Sequence, residues 1–117
     1  VPWSLAVVKL LRVANLNGIE WSVFEVEPGD TLPEGMDADT MGVALTDSAR
    51  IYFRRSANPR VTRVTAAHEW MHALLDASGG ASLLAALAKA SNLDPEAVEE
   101  ALVSVLAPVL ASLLETY

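Results

Sequence analysis

The spacing of apolar residues divides the chain into helical and extended stretches. Residues 2–16 carry apolar side chains on most sides, with Lys9 and Arg12 marking one polar stripe, a pattern that predicts a first helix. Asn17-Gly18 reads as its stop, because glycine takes the left-handed conformation without steric cost. From residue 19 to 27 the period shortens to two. Trp21 and Val23 fall on one face and Ser22 and Phe24 on the other, as in a strand. Pro28-Gly29-Asp30 closes it with a turn. Residues 30–40 are acidic, broken by Pro33 and Gly35, and have no period. They are expected to form a surface loop long enough to cover a neighbouring cleft. Residues 41–45 and 50–54 read as paired strands joined through Thr46-Asp47-Ser48-Ala49, with Ile51 and Phe53 facing away from Tyr52 and Arg54.

The second half of the chain is helical in pattern. Asn58-Pro59 has an N-capping side chain followed by a proline at the first helical position, where no amide hydrogen is needed. That helix should run to Asp76 and stop near Gly79-Gly80. Residues 81–90 read as a short helix rich in alanine and leucine. Asp94-Pro95-Glu96 starts a last helix, expected to reach Glu115 with a kink at Pro108. There is no repeat or linker, and 117 residues suit a single domain with one core.

Composition narrows the chemistry. The chain has no cysteine, so disulfides, thiolate metal sites and a cysteine nucleophile are all excluded. A net charge of −7 argues against a nucleic-acid binder. Five of the eight basic residues do cluster, as Arg50, Arg54, Arg55, Arg60 and Arg63, and read as a solvated strand edge and helix start. The longest uncharged apolar run, residues 101–114, is too short for a membrane span and contains Pro108. With no leader segment visible from Val1 onward, the expectation is a soluble cytoplasmic protein.

Both of the chain's two histidines lie in His68-Glu69-Trp70-Met71-His72, inside the helix that Asn58 starts. Histidines four apart on a helix share a face, so their ring nitrogens can reach one tetrahedral metal ion, with Zn2+ the expected cofactor. Glu69 would stand beside the metal, placed to take a proton from a bound water. A catalytic zinc uses three protein ligands, and with histidine exhausted the third must be a carboxylate. Asp76 continues the His68–His72 stripe, but ligands from 68 to 76 would span about 12 Å at a rise of 1.5 Å per residue. It is read as a capping or supporting residue instead. Glu96, Glu99 and Glu100 lie near the start of the last helix. Glu96 reads as a dipole-favouring surface charge. Glu100 is preferred to Glu99 because its stripe includes Ser104, able to hydrogen-bond the histidine ligands, and Ala107, which allows close packing. The plainer alternative is that all three are solvated charges at a helix start.

These residues resemble the gluzincin class of zinc metallopeptidases, in which His-Glu-x-x-His on one helix is completed by a glutamate on a later one. They are similar in particular to the ImmA/IrrE-type peptidases, whose ligand glutamate heads a helix with small or polar residues three and four positions on. Glu100, Val103 and Ser104 match that arrangement loosely. Ser104 and Leu106 stand where that family usually carries asparagine and phenylalanine. The resemblance implies an α+β, zincin-like fold: an N-terminal helix, a small mostly antiparallel three-stranded sheet, the motif helix and the glutamate helix. It further implies an endopeptidase acting on a protein or peptide, often a transcriptional regulator. The substrate is expected to add a strand to the edge formed by residues 41–45 or 50–54. Tyr52 or an arginine is the candidate for stabilising the oxyanion. A non-catalytic zinc or protein-interaction module, and a latent peptidase held inactive by loop 30–40 or the termini, are the rival expectations.

Overall fold

Asn17 and Gly18 both have positive φ, 54° and 88°, the combination that a two-residue type I′ hairpin turn requires. They join strand β1 (Val8–Leu16) to strand β2 (Ile19–Val26) rather than ending a helix. A computed structural model of the chain describes residues 8–27, 33, 36, 37 and 39–115. The helix expected over residues 2–16 is therefore corrected from Val8 onward, while residues 2–7 and the turn at 28–30 lie outside the described residues. The apolar residues of β1 satisfy a helical or an extended period about equally. The Asn-Gly turn decides between them, bringing Leu16 opposite Ile19 and Ala14 opposite Trp21 in an antiparallel ladder.

Strands β3 (Gly42–Leu45) and β4 (Arg50–Arg54) complete one sheet of order β1-β2-β4-β3. The expected three-stranded, mostly antiparallel sheet is thus a four-stranded mixed one in an α+β fold. β3 and β4 pair antiparallel, whereas β2 and β4 pair parallel. The chain leaves β2, crosses to the far edge to form β3, and returns between the two as β4. The connection from β3 to β4 ends in Ala49 at φ 54°, and the Ala49 carbonyl accepts from the Ser22 amide at 3.0 Å. That bond fastens the turn to β2.

Alternation along the strands divides the core in two. Trp21, Val23, Ile51 and Phe53 pack with Ala73, and Ala44, Ala66 and Trp70 flank them, so this face of the sheet lies against helix α1 (Pro59–Ser78). On the other face Val26, Tyr52 and Met36 pack together with Phe24, Val43 and Leu45 around them. Met36 comes from the 30–40 segment. Nearby, Arg54 donates to the carbonyls of Thr40 at 2.7 Å and Asp37 at 2.6 Å. The described end of that segment is therefore pinned to β4.

Helix α1 begins and ends as the capping pattern predicts. The Asn58 side chain accepts from the Arg60 amide at 3.0 Å, Pro59 occupies the first turn, and Gly79 at φ 80° closes the last. Helices α2 (Gly80–Ala90) and α3 (Pro95–Glu115) follow. Pro108 lies inside α3 on an exposed side. It leaves the Ser104 carbonyl without its usual helical donor, and the helix continues to Glu115. Ala107 and Ala111 of α3 are buried against Ala67 of α1, between Val64 and Leu110. Alanine at this contact lets the two helices approach closely enough for short acidic side chains on α3 to reach α1. Among the described residues no single helix is long and apolar enough to cross a membrane. α1 and α2 reach that length and composition only as a pair, and the pair is bent by 86°.

Candidate metal centre

His68 and His72 stand one turn apart on α1 with ring centroids 5.1 Å apart and planes at 63°. The second turn of α3 supplies the facing carboxylate. Glu100 Oε1 lies 2.7 Å from His68 Nε2, and its Oε2 lies 2.9 Å from His72 Nε2. One ligating atom from each of His68, His72 and Glu100 falls within 4.8 Å of the other two. This is the group the spacing argument assembled, and the long-range approach of α3 brings it together. Bonds of about 2.0–2.1 Å at tetrahedral angles put neighbouring ligand atoms about 3.3 Å apart. The carboxylate, now at hydrogen-bond distance from both rings, would need to withdraw from them to admit an ion. Two nitrogens and a hard oxygen suit zinc among other divalent metals.

Glu99, the other candidate for the third ligand, goes elsewhere. Its Oε2 lies 2.6 Å from Nδ1 of His72, on the side of the ring away from Glu100. Ser104 donates to Glu100 Oε1 at 3.4 Å rather than to a histidine. Asp76 stays outside the cluster, and its carbonyl accepts from the capping Gly79 amide at 3.3 Å. Glu96 is an exposed charge in the first turn of α3.

Glu69 is 6% exposed although it carries a carboxyl. Burial pushes its pKa from 4.5 up to about 7; His72 works against the rise and the charge of Glu100 adds to it. The wall that buries it is β3. A Cβ built on Gly42 would stand 2.9 Å from Glu69 Cγ, 3.0 Å from its Oε2 and 3.1 Å from Thr65 Cγ2. Only a residue without a side chain lets the strand lie against this carboxyl. Gly42 escaped the sequence reading. Its one signal was a glycine opening a strand, which marks close backbone approach as readily as a turn.

Two cavities open on either side of that contact. One of about 380 Å³ is lined by Thr40, Met41, Gly42, Val64, Thr65, His68 and Glu69. The other, about 320 Å³, runs along β3 past Val43, Ala44 and Thr46 to His72, Glu99 and Glu100. Among the described lining residues there is no tyrosine, arginine or lysine. Tyr52 is on the opposite face of the sheet, stacked on Phe24 at 5.1 Å. Arg54 holds the 37–40 turn, and Arg55 pairs with buried Glu25 at 2.5 Å. Neither candidate for the oxyanion reaches the site, and the hydroxyl side chains that line it are Thr40, Thr65 and Thr46. No protein family, curated protein or solved structure matches this chain.

Proposed function

We propose that the chain is a small zincin-type metallopeptidase in which His68, His72 and Glu100 hold a zinc ion and Glu69 is the general base. The observation that carries this reading is the convergence of both Nε2 atoms and one carboxylate within 4.8 Å, beside a buried glutamate. When bound, zinc supplies a Lewis acid that lowers the pKa of a coordinated water towards about 7 and polarises the scissile carbonyl. Glu69 accepts a proton from the attacking water and passes it to the leaving amine. In the metal-free chain burial raises its carboxyl to about 7, and a cation held beside it would draw that value down towards the range in which the carboxylate accepts a proton. Gly42 keeps the base in place by leaving no room for it to turn towards β3.

Substrate binds as an extended peptide along β3. The sheet order favours this strand over β4, because β4 is enclosed between β2 and β3 whereas β3 is a sheet edge. Both cavities border it, and their Met41, Val43, Ala44 and Val64 suit apolar side chains. A protein partner such as a regulator fits the family resemblance. Thr40, whose carbonyl Arg54 holds, forms part of the cleft wall.

The lack of a cationic or phenolic side chain among the described lining residues favours one rival, a non-catalytic zinc-binding module on the same scaffold. One experiment separates the two. Purified protein with one equivalent of zinc is incubated with a mixed peptide library, alongside Glu69→Gln. The peptidase reading expects cleavage that falls by about 10²–10⁴-fold in the variant. Zinc bound by both proteins without cleavage by either supports the module.

A further inference from the structure

A metal centre needs three ligands from this chain, yet four side chains converge on it. We propose that Glu99 is a positioning residue that holds the ring of His72 by Nδ1 and so aims Nε2 at the metal. This inference rests on the metal-binding reading of His68, His72 and Glu100.

A neutral imidazole has one N–H and one bare nitrogen, and a metal bonds only to the bare one. The two tautomers of a free histidine are close in energy, so a ligand histidine gains when a neighbour selects between them. The carboxylate of Glu99 can only accept. At 2.6 Å from Nδ1 it calls for the hydrogen on that nitrogen, so that once an ion stands between Nε2 and Glu100, Nε2 is the nitrogen free to bond it. Nε2 is the atom that faces Glu100 and His68 across the site. The same contact also fixes the ring's rotation about χ2, since a flip would carry Nδ1 away from its acceptor.

Successive residues on a helix project about 100° apart. Glu99 and Glu100 nonetheless reach the two nitrogens of one ring, Nδ1 at 2.6 Å and Nε2 at 2.9 Å. The alanine contact of Ala67 with Ala107 and Ala111 permits that approach. Burial differs in the same sense: the Glu99 side chain is 26% exposed against 54% for Glu100. The less solvated bond is the stronger positioning contact. Adjacent glutamates on one turn thus divide the work, one to bind and one to orient.

The test compares zinc affinity, by competition with a chromophoric chelator, for the full chain and for Glu99→Gln, Glu99→Ala and Glu96→Gln. Nitrogen-15 spectra of the His72 ring are recorded on the zinc-loaded forms. Glu99→Ala should lose about 10–100-fold in affinity. Glu99→Gln, which keeps an acceptor but not the charge, should fall between it and wild type. Glu96→Gln removes an equal charge from the same helix turn and should match wild type. In the wild-type spectrum His72 should carry its proton on Nδ1, with that signal broadened or lost in Glu99→Ala. The proposal is overturned if Glu99→Ala binds within twofold of wild type, if Glu96→Gln weakens binding equally, or if His72 coordinates through Nδ1. A wild-type protein that binds no zinc overturns the metal centre itself, a failure seen before any variant is compared.

Discussion

Replacing Glu69 with glutamine should make the metal-free protein more stable at neutral pH. The carboxyl is 6% exposed, and burial raises its pKa from 4.5 to about 7. A carboxyl whose pKa is higher in the folded state binds its proton more tightly there than in the unfolded chain. Its stabilising contribution is complete below about pH 4.5 and is lost as pH rises through 7. The gap of about 2.5 pH units, at about 1.4 kcal/mol each, corresponds to about 3 kcal/mol. Glutamine fills the same volume beside Gly42 and never ionises, so it removes this pH dependence. The assay is urea unfolding at half-unit steps from pH 4 to pH 8, with a chelator present, for wild type and Glu69→Gln. Carboxylates remote from Glu69 contribute to both curves and cancel in the difference, whereas His72 and Glu100, which are coupled to it, add smaller changes of their own. The two proteins should agree within about 0.5 kcal/mol at pH 4 and separate by about 3 kcal/mol by pH 7.5, glutamine being the more stable. A difference that stays flat across the range would refute the argument that Glu69 is held dehydrated against β3. Such a cost to the fold is what a base poised for reaction entails.

Three further outcomes follow from the packing. Gly42→Ala should displace Glu69 and lower peptide hydrolysis by about 10-fold or more while zinc affinity stays within about twofold; equal loss of both would contradict the close-approach argument. Gly18→Ala meets no atom within 4 Å but keeps φ at +88°, so urea unfolding should show a purely backbone cost of about 1–2 kcal/mol. Ala107→Leu overfills the α1–α3 contact and should cost about 1–3 kcal/mol. It should also weaken zinc binding by withdrawing Glu100, measured by chelator competition, whereas Val109→Leu on the exposed side of α3 should leave both unchanged.

The lesson of the hairpin is that one dipeptide can outweigh fifteen residues of pattern. Asn17-Gly18 reads as a helix stop in the sequence, but the left-handed conformation that stops a helix also builds a hairpin turn. The fold chose the turn because β2 offers β1 an antiparallel ladder from Leu16 to Val8, broken only by a register shift between Leu10 and Arg12. The face of Tyr52 was legible from alternation, but which face would meet α1 was not, and the answer removed it from the site.

Apart from the Asn17-Gly18 turn, the features that depend on neighbours within about one helical turn are legible in the sequence alone. The Asn58 cap, the Pro59 start, the Gly79 stop, the strand β4 and the shared face of His68 and His72 all belong to that class. Tertiary structure decided the strand identity of β1, the parallel pairing of β2 with β4, the close approach of Gly42 to Glu69, and which nitrogen of His72 Glu99 and Glu100 each reach. The last of these turns on contacts 27 and 28 residues apart in the chain. The reason is one of range. Caps, turns and periodicity follow from bonds and sterics inside a few residues, whereas two adjacent glutamates differ only in which side of an imidazole they reach once α3 has docked on α1.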